Sequence, residues 1–184
     1  GEDNQKKIVI LANDIKKELW DSISRFKDIT LINGSPLNIY DLLRANIEYA
    51  EKATFICIPT TSGTGSEVTP ISIVTTGATT KMGVVAPILY ADVAILDATF
   101  TQGLPAHITA ATGIDAMVHA IEAYTSNVKK NFYADMLAQN ALKLLNHNLA
   151  KVLKNGADLE ARQNMLVGSM LAGQAFANAP VGAV

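Results

Sequence analysis

The stretch Gly113-Ile114-Asp115-Ala116-Met117-Val118-His119-Ala120-Ile121-Glu122-Ala123 decides how this chain is read. It has the residue pattern of a helix, so Asp115 and His119, four positions apart, project from one face. A carboxylate oxygen and an imidazole nitrogen at that spacing suit a borderline divalent cation such as Fe²⁺ or Zn²⁺. The pair alone is a weak signal, and an exposed aspartate with a core or surface histidine on an ordinary helix is the favoured reading of it. The surrounding sequence has to separate the two readings.

Outward from that stretch, composition shifts near residue 100. From Pro105 onward the chain is rich in Ala, Leu and Met and poor in β-branched residues. The pattern predicts helices near 105–111, 113–125, 131–154 and 158–177, with Asn155-Gly156 as a C-cap between the last two. On the other side strands and helices alternate. Lys7–Ala12, Ile29–Asn33 and Thr54–Ile58 read as strands, with helices over about 15–26 (Trp20 and Ile23 inward) and 38–52, and a turn at Gly34-Ser35-Pro36. Val, Ile and Thr between 67 and 98 predict a hairpin, Ser72–Thr76 with Met82–Ala86 and Gly77 in its turn, and a last strand at Val93–Asp97. The expected architecture is an α/β Rossmann-like parallel sheet over 1–100, followed by part of an all-α domain over 101–184.

The 184 residues are 49% hydrophobic and carry a net charge of −2. That is ample material for a core, and it gives no electrostatic footprint for nucleic acid or an anionic membrane. The single cysteine, Cys57, excludes an internal disulfide and fits a reducing compartment. It lies in the apolar run Phe55–Ile58 and reads as a buried strand position. With no apolar stretch of membrane-spanning length and no leader pattern, the expected location is cytoplasmic.

Three stretches bear on the reading of the Asp115/His119 pair. They are Pro59-Thr60-Thr61-Ser62-Gly63-Thr64-Gly65-Ser66-Glu67-Val68-Thr69, Ala94-Ile95-Leu96-Asp97-Ala98 and Thr109-Ala110-Ala111-Thr112 running on through Gly113–Ala123 to Tyr124. With Gly168–Asn178, they resemble the iron-containing (group III) alcohol dehydrogenase family from Ile58 to the C-terminus; residues 1–57 resemble it loosely. The likeness implies a dehydroquinate synthase-like architecture and reversible hydride transfer between a small alcohol or aldehyde and NAD(H). Fe²⁺ is the implied metal, Zn²⁺ its alternative, and a homo-oligomer is compatible with it. It also implies that Asp115 and His119 are the first two metal ligands.

In that family the loop after the strand lies against the nicotinamide cofactor, which nominates Thr60, Thr61 and Thr64. On chemistry alone the same loop reads as a turn with local Ser/Thr hydrogen bonds, because neither a P-loop lysine nor a third dinucleotide glycine is present. An acidic residue at the place of Asp14 meets the adenosine ribose in the family and would repel a 2′-phosphate, favouring NAD over NADP. Asn13 or Asp14 as a helix N-cap is the competing reading.

Two departures accompany the likeness. The family's Gly-Gly-Gly-Ser run toward the pyrophosphate is missing, and two downstream histidine ligands have no counterpart. The chain therefore reads as a truncated or internally deleted form. A non-catalytic fragment or degenerate paralogue is the alternative function. Glu122 is a candidate orienting partner for His119, or an exposed side chain. His107, His147 and Lys81 read as surface residues. Gly168 and Gly173, with Ala172 and Ala175, are expected to permit close helix packing.

Overall fold

The computed structural model describes residues 8–12, 21, 25–33 and 39–180. The helix expected over 15–26 falls almost entirely outside these residues, and so do Asp14 and the turn at 34–36. The chain divides into two compact units, residues 1–53 and 54–184.

In the first unit, β1 (Ile8–Ala12) and β2 (Ile29–Asn33) pair in parallel, Ile8 opposite Ile29. The parallel ladder agrees with the α/β reading. Helix α1 (Ile39–Arg44) is shorter than the expected helix to Lys52. Asn46 takes a left-handed conformation at φ 56, and a 3-10 turn follows at Ile47–Tyr49. Ile47 and Tyr49 stay exposed. Helices draw most of their stability from a buried face, and none sustains this one beyond Arg44.

The second unit opens with β3 (Ile56–Cys57), which pairs in parallel with β6 (Val93–Ala94). Between them β4 (Ile71–Thr75) and β5 (Lys81–Val85) form the expected antiparallel hairpin, one residue earlier than its sequence pattern suggests, with Ile71 opposite Val85. Cys57 is half-buried rather than enclosed.

Three long helices follow: α2 (Ala106–Thr125), α3 (Phe132–Lys154) and α4 (Leu159–Asn178). The side chains of Asn131 and Asp158 cap α3 and α4, accepting from the Ala134 and Ala161 amides at 2.8 and 2.9 Å. Each cap satisfies one of the orphan first-turn donors. α2 runs unbroken through Thr112-Gly113, where two helices are expected from the sequence. Gly113 serves packing instead. A Cβ there would fall 2.8 Å from Leu149 and 2.9 Å from Met165. Asn155 ends α3 as expected, but in extended rather than left-handed geometry.

The core lies among these helices. Ala116, Ala120 and Ala123 of α2 meet Ala138, Ala141 and Leu145 of α3 and Met165, Ala172 and Ala175 of α4, all buried. Small residues let the axes approach closely. Gly168 does the same against Leu145, whose Cγ would lie 2.8 Å from an added Cβ. The helical segment shares its unit with residues 54–100, and no helix among the described residues is long and apolar enough to cross a membrane.

Candidate metal and nucleotide site

Thr112, Asp115 and His119 fall at i, i+3 and i+7 of α2, and therefore on one face of that helix. His119 is mostly buried and Asp115 about half exposed, with His119 Nδ1 3.8 Å from Asp115 Oδ2. That separation is too long for a hydrogen bond. It is within the span of two bonds of roughly 2.0–2.2 Å to one shared ion. Nδ1 is buried and has no hydrogen-bond partner. A buried orphan nitrogen is costly, and a cation between it and the carboxylate would satisfy it. On that observation both donors fit a metal. The imidazole ring is steadied by Phe176 of α4, centroid to centroid 5.0 Å and tilted by 48°.

Among the described residues no group of three or more His, Cys, Asp or Glu could enclose an ion. His107 and His147 are exposed, as expected from the sequence. Glu122 is half-buried. Its carboxylate makes no hydrogen bond or ion pair with His119 or any other group among the described residues, so the structure does not join it to the pair.

The Thr60–Thr69 loop packs onto the same helices. Ser62, Gly63, Gly65, Glu67 and Thr69 are buried, Thr60 and Thr64 are exposed, and Thr61 is intermediate. Gly63 sits on Thr112, where a Cβ would lie 2.8 Å from the Thr112 Cβ and 3.2 Å from its carbonyl oxygen. Gly65, at φ 60, meets α4 just as closely, with an added Cβ 2.7 Å from the Gly173 Cα. Both glycines are required, the second also because its left-handed backbone suits few other residues. Gly173 thus packs against loop backbone, not against another helix as its sequence context suggests. The Thr64 hydroxyl donates to Ser66 Oγ at 3.0 Å and accepts from the Ser66 amide at 3.3 Å. Local Ser/Thr bonding is therefore realised at Thr64. The Thr60 and Thr61 hydroxyls make no hydrogen bond among the described residues.

Beneath the loop, Glu67 is 6% exposed. Burial pushes its carboxyl pKa up from the ordinary range, opposed by a hydrogen bond from its own backbone amide. It lines an open cavity of about 350 Å³ with Tyr90, Tyr133, Gln174 and Asn178. Burial, and secondarily Glu67, raises the Cys57 thiol as well. Lys81 is exposed. The roles of Phe176 and Thr112 had no local sequence signal, since both depend on which helices meet.

The sequence pattern of the iron-containing alcohol dehydrogenases matches residues 10–98, and that of the C-terminal part of the Fe-containing alcohol dehydrogenase family matches 109–184. The chain is 40% identical over 157 residues to the probable alcohol dehydrogenase EutG of Escherichia coli, covering 85% of this chain and 40% of that protein. It is 52% identical over 129 residues to long-chain-alcohol dehydrogenase 1 of Geobacillus thermodenitrificans, covering 70% of this chain and 32% of that one. The crystal structure of maleylacetate reductase from Agrobacterium tumefaciens superposes on 96% of the chain, and on 58% of its own length, with a TM-score of 0.78 at 26% identity. The chain thus spans well under half the length of these two curated relatives.

Proposed function

This chain belongs to the iron-containing alcohol dehydrogenase family, and from that premise we propose that it serves hydride transfer between a small alcohol or aldehyde and a nicotinamide dinucleotide. The observation that carries this reading is the orphaned Nδ1 of His119 facing Asp115 Oδ2 at 3.8 Å. A bound Fe²⁺, or Zn²⁺ in its place, would supply Lewis acidity toward the substrate oxygen. Asp115 and His119 would hold it through one carboxylate oxygen and Nδ1. Phe176 keeps the imidazole from turning away. Further donors have to come from beyond this pair, because two ligands hold a catalytic ion weakly.

The Thr60–Thr64 loop is the nucleotide side of the proposal. Its seat on Thr112 places it on the helix that carries the metal pair, one turn away from Asp115. The Thr60 and Thr61 hydroxyls, which make no hydrogen bond among the described residues, are offered to the nicotinamide end, while Thr64 is already engaged by Ser66. Preference for NAD over NADP rests on Asp14. The relatives bear names as different as long-chain-alcohol dehydrogenase and 4-hydroxybutyrate dehydrogenase. The substrate class proposed is accordingly the alcohol/aldehyde pair, not one compound.

The test is anaerobic Fe²⁺ loading of the chain beside Asp115→Ala, with metal stoichiometry, NADH fluorescence and turnover of short alcohols read in parallel. One-to-one binding lost in the variant, with turnover, supports the enzyme. A second reading, a non-catalytic chain that pairs with another subunit, is favoured by the missing third donor among the described residues. It predicts weak metal binding and no turnover.

A further inference from the structure

We propose that the cavity at Glu67 binds a small organic ammonium ion, using none of the residues proposed above for the metal or the nicotinamide. The cavity lies within the second unit, where the 3-10 turn Ser66–Val68, the segment entering β6, the start of α3 and the end of α4 meet. Its volume of about 350 Å³ is at the small end for ligand pockets and suits a molecule of few heavy atoms.

The lining carries one formal charge, and that charge is negative. Glu67 is joined there by Tyr90, Tyr133, Gln174 and Asn178, and by no Lys, Arg or His. Apart from its own backbone amide, the Glu67 carboxyl has no hydrogen-bond or ion-pair partner among the described residues. Its oxygens are nevertheless not sealed in, since the buried side-chain polar atoms without a partner belong to Thr109, His119 and Asp135. The 6% of Glu67 that stays accessible therefore includes its carboxylate, and the residue lines the cavity. The other titratable groups about it are Tyr90 and Tyr133 on the wall and the Cys57 thiol, which Glu67 raises. Lys130, three residues before Tyr133, is engaged elsewhere, 2.6 Å from Asp135 and 4.5 Å from the centre of the Tyr124 ring. A carboxylate removed from water without a counter-charge is costly. A cation from solution supplies what the surrounding side chains do not.

The rest of the wall selects the kind of cation. A hard divalent ion needs several oxygen ligands and more than one carboxylate as a rule, and no acidic cluster of that kind occurs among the described residues. Tyr90 and Tyr133 are 46% and 49% exposed and offer rings against which an ammonium can lie. Asn178 Nδ2 donates to the Gln174 carbonyl at 2.8 Å, which leaves Oδ1 as a second acceptor. Val68 and three alanines complete the lining and suit a short alkyl chain. One carboxylate, one amide oxygen, two rings and an apolar remainder match an alkylammonium ion.

The experiment titrates the full chain with n-butylammonium chloride at constant ionic strength, following backbone and tyrosine resonances by NMR. Uncharged butyramide and anionic butyrate are run beside it. Saturable shifts at positions 67, 90 and 133 are expected for the ammonium. In Glu67→Gln its affinity should fall by about tenfold or more, the scale of a hydrogen bond to a charged group. Tyr133→Leu keeps the carboxylate and should weaken binding about two- to fivefold, as loss of a ring contact does. Affinity should rise with pH through the folded Glu67 pKa, because the ionised carboxylate is the partner and the Cys57 thiol, raised by burial, stays neutral there. Absence of saturable binding, butyramide binding as tightly as the ammonium, or ammonium binding unchanged in Glu67→Gln would each overturn the proposal.

Discussion

Gly65 and Gly173 touch backbone to backbone: a Cβ on residue 173 would stand 2.6 Å from the Gly65 carbonyl oxygen and 2.9 Å from its Cα. Nothing flexible can yield there. Gly173→Ala should therefore destabilise by about 1–3 kcal/mol, as overpacking does, although alanine is the better helix former. Gly113→Ala is the control. Its obstacles are the mobile ends of Leu149 and Met165, so thermal unfolding should show a markedly smaller loss. Equal losses in the two variants would contradict the rigid contact.

The proposed metal pair predicts an ordering of affinities. Asp115→Ala removes one of the two donors and should weaken Fe²⁺ binding by at least the ~10–100-fold that orienting partners alone command. Phe176→Ala leaves both donors and frees the imidazole ring, so its loss should be smaller. Titration calorimetry under anaerobic conditions reads both. A larger effect from Phe176 than from Asp115 would mean that the ring contact, not ligation, organises this face.

Glu67 sets a pH dependence. Its folded pKa lies above the ordinary glutamate value of about 4.3, raised by burial. Its contribution to stability is then fully present below the unfolded value and is lost as pH rises through the folded one. Glu67→Gln should be the more stable form at neutral pH, by an amount on the order of 1 kcal/mol, and should flatten the slope above pH ~4.3. Urea midpoints across that range would show it. A wild-type protein that gains stability as pH rises through this window would count against it.

Leu145 is fully buried between α3 and α4, against Gly168. Leu145→Ala opens a cavity at the most crowded helix contact and should cost about 2–5 kcal/mol. Denaturant unfolding would measure it. A loss below the lower end would mean that the glycine side collapses into the space.

The Cys57 thiol is raised by burial and by Glu67, and the thiolate is the reactive form. Alkylation at neutral pH should be several-fold slower in the native chain than in urea, despite its partial exposure. Thiol labelling followed by mass spectrometry tests this.

The long helices were the most legible part of the chain. Asn131 and Asp158 announce their starts, and the apolar spacing behind them belongs to each helix alone. The hairpin was legible to within a residue for the same local reason. Gly113 misled because a glycine can mean a break or a close approach, and only the position of Leu149 and Met165 separates the two. The pairing of Ile56 with Val93 is non-local and leaves no trace in either segment. From its hydroxyls and glycines, the Thr60–Thr69 segment read as a turn with local Ser/Thr hydrogen bonds. Its alternate residues are buried because two glycines permit backbone to lie flat on two helices. That Asp115 and His119 share one helix face was legible from their spacing, whereas Phe176 depends on a tertiary contact that no local pattern encodes.

One unbroken rod carries both the seat of the loop and the metal pair. Because α2 does not break at Gly113, Thr112 cannot turn without turning Asp115 and His119 by the same angle. A single inserted residue between them would swing the pair about 100° around the helix axis relative to the loop. The loop and the Asp115/His119 pair, the two halves of the proposed site, are thus geared together. Side chains at either end can be exchanged separately, but the angular phase between them is set by the helix itself.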